Sequence, residues 1–546
     1  MTMLARRPLD DGLDAEALFK EARRLRRRRW TVAASVVVAV AGLAVTLAMV
    51  SGPPARPPSI APRNPPLVLN GPAARPTVDA GAFAGDGELA FVSRGTPWVL
   101  DGSRSLRQLP VPRGFTPSSP AFSSDGKWVA YTTTKFTNTS DTTDVWIARA
   151  DGTDAHLLRV APVDQLVGWS PKADTVAVVT GTLARFTNGV TSLRPTTLDV
   201  VPARGVVRQL VRLSASAQTP DYVENAVWSP TGRSIAVSTV SFGEGGSAMV
   251  RSYPIDRAAP RTWFSIKESQ GLPGICTGCG QNGDIAHLAG WWTGRGIAFW
   301  VFSSGADHNA DDTPLELVAS PGARPRIIAH TLSDGETDAV ATAPDGALAL
   351  VESSAGRELG QGKQVAVCDR RTRCAALPGA SVWSGPAAPC SQYVCMPVPA
   401  PGVAGSGVTL DPAWSPDGTS LAYVKAPAAP TEGDPAGSWY AMHELLVWNA
   451  RTGVTTPIAD ADGAAVPTWS ADGRDLLYED ADGLWLVPVS GGAPVRIEYP
   501  LYPERDWSEA MASNFSYYGQ IAWDSQFAWW SPAPPAATGG ATPALG

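Results

Sequence analysis

The chain has 546 residues with 53 Gly, 49 Pro and 20 Trp, and only 17% of its residues are charged. That length exceeds one ordinary hydrophobic core unless the core is a repeat array or a propeller, and the turn-rich, aromatic composition points to all-β architecture. The formal net charge is −7, yet residues 1–30 hold nine Lys/Arg against five Asp/Glu, leaving 35 against 46 (about −11) for the rest, a poor match for a phosphate backbone that excludes a nucleic-acid partner.

Residues 1–29 form a basic segment in which LDAEALFKEARRLRRRR, from Leu13, reads as a short amphipathic helix. It is expected either to set topology against anionic lipid or to dock a cytoplasmic partner. Residues 30–50 then predict one transmembrane helix. TVAASVVVAVAGLAVTLAMV, from Thr31 to Val50, carries no charge, and twenty residues at helical rise cover about 30 Å of hydrocarbon. Arg23, Arg24 and Arg26 to Arg29 precede it, with Trp30 at the interface. The excess of arginine on that flank places the N-terminus in the cytoplasm and the bulk of the chain outside. The alternative is a cleaved signal peptide, whose apolar region normally spans only about 7–15 residues. Export follows from both.

Residues 51–77 read as a proline-rich linker, with nine prolines between Pro53 and Pro76. Such a stretch favours extended polyproline conformation at about 3.1 Å per residue, suited to a stalk.

From there one unit recurs: an aromatic or apolar residue, a tight turn, then a strand of alternating apolar residues. It reads AFAGDGELAFV from Ala82, AFSSDGKWVAYT from Ala121, GWSPKADTVAVV from Gly168 and VWSPTGRSIAVS from Val227. GWWTGRGIAFWV from Gly290, ATAPDGALALV from Ala341, AWSPDGTSLAYV from Ala413 and TWSADGRDLLYE from Thr468 complete eight copies. Asp accepts local backbone hydrogen bonds and Gly supplies positive φ, so Asp417, Gly418, Asp472 and Gly473 are expected as turn residues. Trp169, Trp228, Trp414 and Trp469 are expected to pack between neighbouring sheets. Further strand pairs follow most copies, as in ELLVWNARTGVTTPIA from Glu444 and GLWLVPVSGGAPVRIEY from Gly483. Two hairpins per copy make a four-stranded blade.

The W-S-P-D-G-x-x-[ILV]-A-[YFV] pattern over about residues 80–500 resembles the TolB-type β-propeller repeat, which also occurs in the propellers of prolyl oligopeptidase enzymes. The small N-terminal domain of TolB has no counterpart here. The expected fold is therefore an all-β propeller of four-stranded blades over residues 78–531, with eight blades favoured and seven possible, behind a single transmembrane helix. Ile521–Trp530 (IAWDSQFAWW) is expected to complete the ring, and residues 532–546 to form a disordered tail.

Six cysteines fall into close pairs: Cys276 and Cys279, Cys368 and Cys374, Cys390 and Cys395. Outside the cytoplasm these read as disulfides, with pairing between the second and third sets left open. A redox or zinc role for Cys276 and Cys279 is the alternative, in a Gly-rich loop and a chain holding only five His. Asp307, Asp311 and Asp312 offer oxygen ligands for calcium, or a merely solvated loop, and Trp507, Tyr517 and Tyr518 either line a ligand surface or pack on the last blade.

The G-x-S-x-G elbow of an α/β-hydrolase is missing, as is the S-x-D-x-G box of sialidases. The expected function is thus a non-catalytic binding, sensing or scaffold module of the cell envelope, not an enzyme, taking an envelope protein, peptide or glycan as partner and needing no cofactor or metal. The alternative is a propeller enzyme, a lyase or glycan-active hydrolase, with its site at the channel mouth; clustered carboxylates with shifted proton affinity there would favour it.

Overall fold

The computed structural model describes residues 68–532, apart from residues 137–140, 186–190, 214–220, 242–246, 268–283, 304–312, 332–339, 354–361, 370, 372, 378–406, 428–438, 440, 481 and 500–525. The expected membrane helix, most of the linker and the tail lie outside the described residues. So do Cys276, Cys279, Cys390, Cys395, the Asp307–Asp312 loop, Trp507, Tyr517 and Tyr518.

The described chain is all-β and of propeller type, built from antiparallel four-strand units that follow one another in sequence. Among the described residues there are eight such units, with strands within 88–108 (joined by 527–530), 116–157, 163–212, 221–267, 284–331, 340–376, 408–462 and 465–499. Two pairs of neighbours are joined by one residue pair each, Thr143 with Val163 and Thr331 with Glu352, so they merge into eight-stranded sheets. Every sheet is open, and none curls into a barrel.

The repeat explains each unit. In Ser-Pro-Asp-Gly, Ser415 Oγ donates to Asp417 Oδ1 at 2.6 Å and accepts the Ser420 N–H at 2.9 Å, while Gly418 takes φ 69°. Ser470 and Asp472 repeat the first bond at 2.7 Å, with Gly473 at φ 72°. The turn thus satisfies its own backbone donors before the strand begins.

Packing joins the units in order. Each of eight buried clusters crosses at least one junction between neighbours, such as Ala177, Val179 and Leu198 against Val223, Ile235 and Val237. The last unit packs on the first: Leu477, Leu484, Leu486 and Ile497 meet Phe83, Leu89, Phe91 and Trp98. No unit has a core of its own, so apolar faces are covered only by the neighbouring unit.

Both chain ends contribute to this last junction. Residues 80–86, where the first repeat would place its inner strand, form turns instead. Phe527–Trp530 takes that place, with Phe527 opposite Phe91 and Trp530 opposite Glu88. The C-terminal segment therefore pairs where the sequence expects completion, through Phe527–Trp530. Thr77–Val78 adds a fifth strand to the last unit, Val78 opposite Glu498. The expected linker boundary shifts as well: Asn70 N–H donates to Val111 O and Arg113 N–H to Val68 O, so residues 68–77 already lie against the domain.

Candidate functional site in the inner strands

First strands of neighbouring units lean on one another, as Asp221–Trp228 does on Asp284–Trp292 and Val408–Trp414 on Ala465–Trp469, the arrangement of inner strands in a propeller. Trp169 Nε1 donates to Ala121 O at 2.9 Å, Trp228 Nε1 to Gly168 O at 3.1 Å and Trp469 Nε1 to Ala413 O at 2.9 Å. These repeat tryptophans are hydrogen-bonded ties between units as well as packing groups. Trp414 lacks such a bond, and its indole N–H is buried without a partner while its ring lies edge-on to Trp448 at 6.3 Å.

The inner strands are bulged near their middle. Glu224 lies unpaired between Val223 opposite Thr239 and Asn225 opposite Ser238. Asp164 lies unpaired between Val163 opposite Thr180 and Gln165 opposite Val179. Asp411 with Pro412 interrupts the pairing of Leu410 and Ala413, and Ser119-Pro120 and Val466-Pro467 do the same elsewhere. Proline suits a bulge because it has no N–H for the ladder. The residues before these prolines, Ser119, Asp411 and Val466, have φ of 53°, 50° and 48°. A bulge re-aims its side chain, and here it presents polar groups from otherwise apolar strands.

Three of these groups and a histidine form a linked set across the third, fourth and fifth units. Asn225, almost fully buried, accepts the Leu288 N–H through Oδ1 at 3.0 Å and donates through Nδ2 to Leu288 O at 3.0 Å. Those bonds fix which end of the amide is nitrogen. Asn225 Nδ2 also lies 3.0 Å from His287 Nε2. An amide nitrogen only donates, so Nε2 accepts, and the remaining ring proton on Nδ1 points to Glu224 Oε1 at 3.3 Å. Beside this pair stands Asp164, an exposed residue at its bulge whose carboxyl nevertheless loses hydration to the surrounding protein. That desolvation, and next the charge of Glu224, push its carboxyl up to about 7. The arrangement is an oriented His–carboxylate pair next to a second carboxyl that holds its proton near neutrality. It suits recognition of a cationic or hydrogen-bond-donating group, and equally proton transfer.

Asp411 plays a different part. Its Oδ2 accepts the Val466 N–H at 3.1 Å, tying the seventh unit to the eighth, and burial raises its carboxyl to about 6 against that bond.

None of the residues singled out from the sequence belongs to the Asp164–Glu224–His287 set. Asp417, Gly418, Asp472 and Gly473 lie in turns, and the four repeat tryptophans lie at the junctions. Cys368 and Cys374 are joined by a disulfide across one hairpin. Among the described residues no group of three or more His, Cys, Asp or Glu is arranged to hold a metal ion. The signal for the set was an acid four or five residues before the repeat tryptophan, in VDQLVGW and YVENAVW, where an inner strand is otherwise apolar.

No protein-family model matches the chain, and no curated protein does either. Solved structures do resemble it. An oligogalacturonate lyase in complex with manganese is similar at 14% identity and a TM-score of 0.40, over 74% of this chain and 99% of the lyase. The β-propeller domain of the Trilobed protease from Pyrococcus furiosus is similar at 12% identity and a TM-score of 0.36, over 72% of this chain and 100% of that domain. A putative TolB from Agrobacterium tumefaciens is similar at 13% identity and a TM-score of 0.28, over 74% of this chain and 98% of the other. At these values the likenesses assign no activity. They do correct one expectation. The sequence was read as that of a non-enzyme because a hydrolase elbow is missing, yet the similar solved structures also include an acylaminoacyl peptidase, a dipeptidyl peptidase 4 and a prolyl oligopeptidase besides the lyase. A missing nucleophile motif excludes one kind of site, not catalysis.

Proposed function

We propose that the chain is a membrane-anchored, extracytoplasmic propeller of eight blades whose inner lining binds an envelope ligand, a peptide or glycan presenting an amine. The observation that carries this reading is the Asp164–Glu224–His287 set, which gathers acidic groups from neighbouring units where solvent reaches them. An amine placed there replaces the missing counter-charge of two adjacent carboxyls. The uncharged apolar span and its arginine flank support the anchor, and the proline stretch supports a stalk.

The same set favours a second reading, acid–base chemistry on that ligand. Asp164 near neutrality beside an oriented His–Glu pair is the kind of arrangement that moves protons.

Calorimetry of the full chain in detergent with trilysine and with a glucosamine trimer, each against its N-acetylated form, tests the binding site. The free amines should bind at least about tenfold more tightly, and Asp164→Asn with Glu224→Gln should abolish that preference. Unchanged binding by the double variant sinks the site. Mass spectrometry of the recovered ligands then separates binding alone from turnover.

A further inference from the structure

Independently of that reading, the junction between the last and first units carries a second feature. Glu479 and Glu498 occupy one rung of the last unit on either side of Leu484, since Glu479 pairs with Leu484 and Leu484 with Glu498. Side chains on one rung share a face. That face is turned to the first unit, because Leu484 packs with Phe83, Leu89 and Phe91. Both glutamates are 0% exposed. Neither carboxylate oxygen of Glu479 has a hydrogen-bond partner. Glu498 faces Ser93 and Arg94 of the first unit.

The other ionisable groups at this junction are mostly acidic. Asp480 adjoins Glu479 on its own strand, and burial lifts it to about 6. At the rim, burial and then the nearby Asp475 and Asp472 of the last unit raise Asp86 to about 6. Glu88, opposite Trp530, is lifted to about 7 by burial and then by Asp101 and Asp151. Among the described groups that shift Glu479 and Glu498, Arg94 is the one cation.

An ionised carboxylate in such surroundings loses hydration without gaining donors, and two of them repel. We propose that the junction is a proton-controlled latch: with Glu479 and Glu498 uncharged the last unit stays seated on the first, and their ionisation loosens both chain ends from the ring. Val78 pairs directly opposite Glu498, so the strand that continues from the proline stretch is held by the same rung. Loosening it couples pH to the seating of the strand that follows the proline stretch.

The direction follows from the titration. Burial first, then Glu498 and Asp480, raises Glu479 well above the ordinary range, and burial raises Glu498 to about 7. The folded state therefore holds protons that the unfolded chain releases near 4.5. Closure is fully favoured below that point and weakens as pH rises through about 7.

Hydrogen exchange with mass spectrometry on the full chain at pH 5.5 and 8, corrected for intrinsic exchange, reads the latch. Peptides covering 475–499 and 88–100 should lose protection by about tenfold or more at pH 8 relative to 234–254, each glutamate supplying up to about tenfold per pH unit. In Glu479→Gln with Glu498→Gln the difference should shrink to that of the reference peptide. Seam and reference moving in step in the wild type, or an unchanged seam response in the double variant, overturns the proposal. If the double variant does not fold, Glu479→Gln alone and the wild-type comparison decide.

Discussion

Asn225→Ala isolates the bond that holds the fourth unit to the fifth. Asn225 is 4% exposed and Leu288, whose backbone it pairs, is 3% exposed. Both Leu288 bonds measure 3.0 Å. Truncation removes the amide and leaves a buried N–H, a buried C=O and the His287 Nε2 acceptor without this partner. Each unsatisfied buried group costs about 1–3 kcal/mol, so the two backbone groups with partial relaxation amount to about 2–5 kcal/mol. Against a domain stability of about 5–15 kcal/mol that is a large fraction. Urea unfolding followed by tryptophan fluorescence reports it as a lower midpoint at unchanged slope. Asn225→Asp keeps the acceptor for the Leu288 N–H but loses the donor and sets a carboxylate beside Glu224, so it should cost at least as much as alanine. As a control, Arg204→Ala breaks an exposed pair with Asp154 at 2.6 Å and should leave the midpoint almost unchanged. A cost below about 1 kcal/mol for Asn225→Ala would refute the view that side-chain bonds to the neighbouring inner strand carry the junction.

Two further substitutions probe the same junctions. Trp169→Phe removes the indole bond to Ala121 and should lower stability by about 1–2 kcal/mol, whereas Trp414→Phe removes an unpartnered buried N–H and should cost clearly less; thermal midpoints of the two variants compared side by side decide it. Gly87→Ala should cost more than about 3 kcal/mol, because Gly87 has φ 103° and a Cβ there would meet the Trp530 carbonyl. Circular dichroism of the melted fraction at 37 °C checks this, and near-wild-type melting would deny the C-terminal strand its closing role.

The fold was legible because the repeat encodes its own turn. Ser415, Asp417 and Gly418 are needed within four residues for reasons that are entirely local, so the sequence displays the full set in three of the eight copies, from Ser123, Ser415 and Ser470, and part of it in the others. The closing strand was legible as an aromatic segment near the end, but its partner was not. Strand pairing between Phe527 and Phe91 depends on the missing inner strand of the first repeat, which turns instead of extending. The candidate site was least legible. Asp164, Glu224 and His287 come from three units, and their meeting depends on bulges that shift register by one residue. Composition and periodicity record no bulge, so nothing in them marked these acids out. The tryptophans were legible as packing groups and not as donors, since the accepting carbonyl belongs to another unit.

The bulges of the inner strands thus do two kinds of work, and the neighbour decides which. Asp411 and Asp164 both stand on bulged inner strands, and burial raises both carboxyls. For Asp411 the next unit offers the Val466 N–H, held out by the Val466-Pro467 bulge of that strand, and the carboxylate becomes a tie between units. For Asp164 the next unit offers Glu224, a like charge, already engaged with His287. A carboxyl facing a backbone donor stabilises the ring, while one facing another carboxylate raises the free energy of the empty lining. A cation entering there relieves that repulsion. The difference between a structural and a ligand-binding inner strand therefore lies in the residue that the following unit places at its own bulge: Asp164→Val should stabilise the unliganded ring, and Asp411→Val should not.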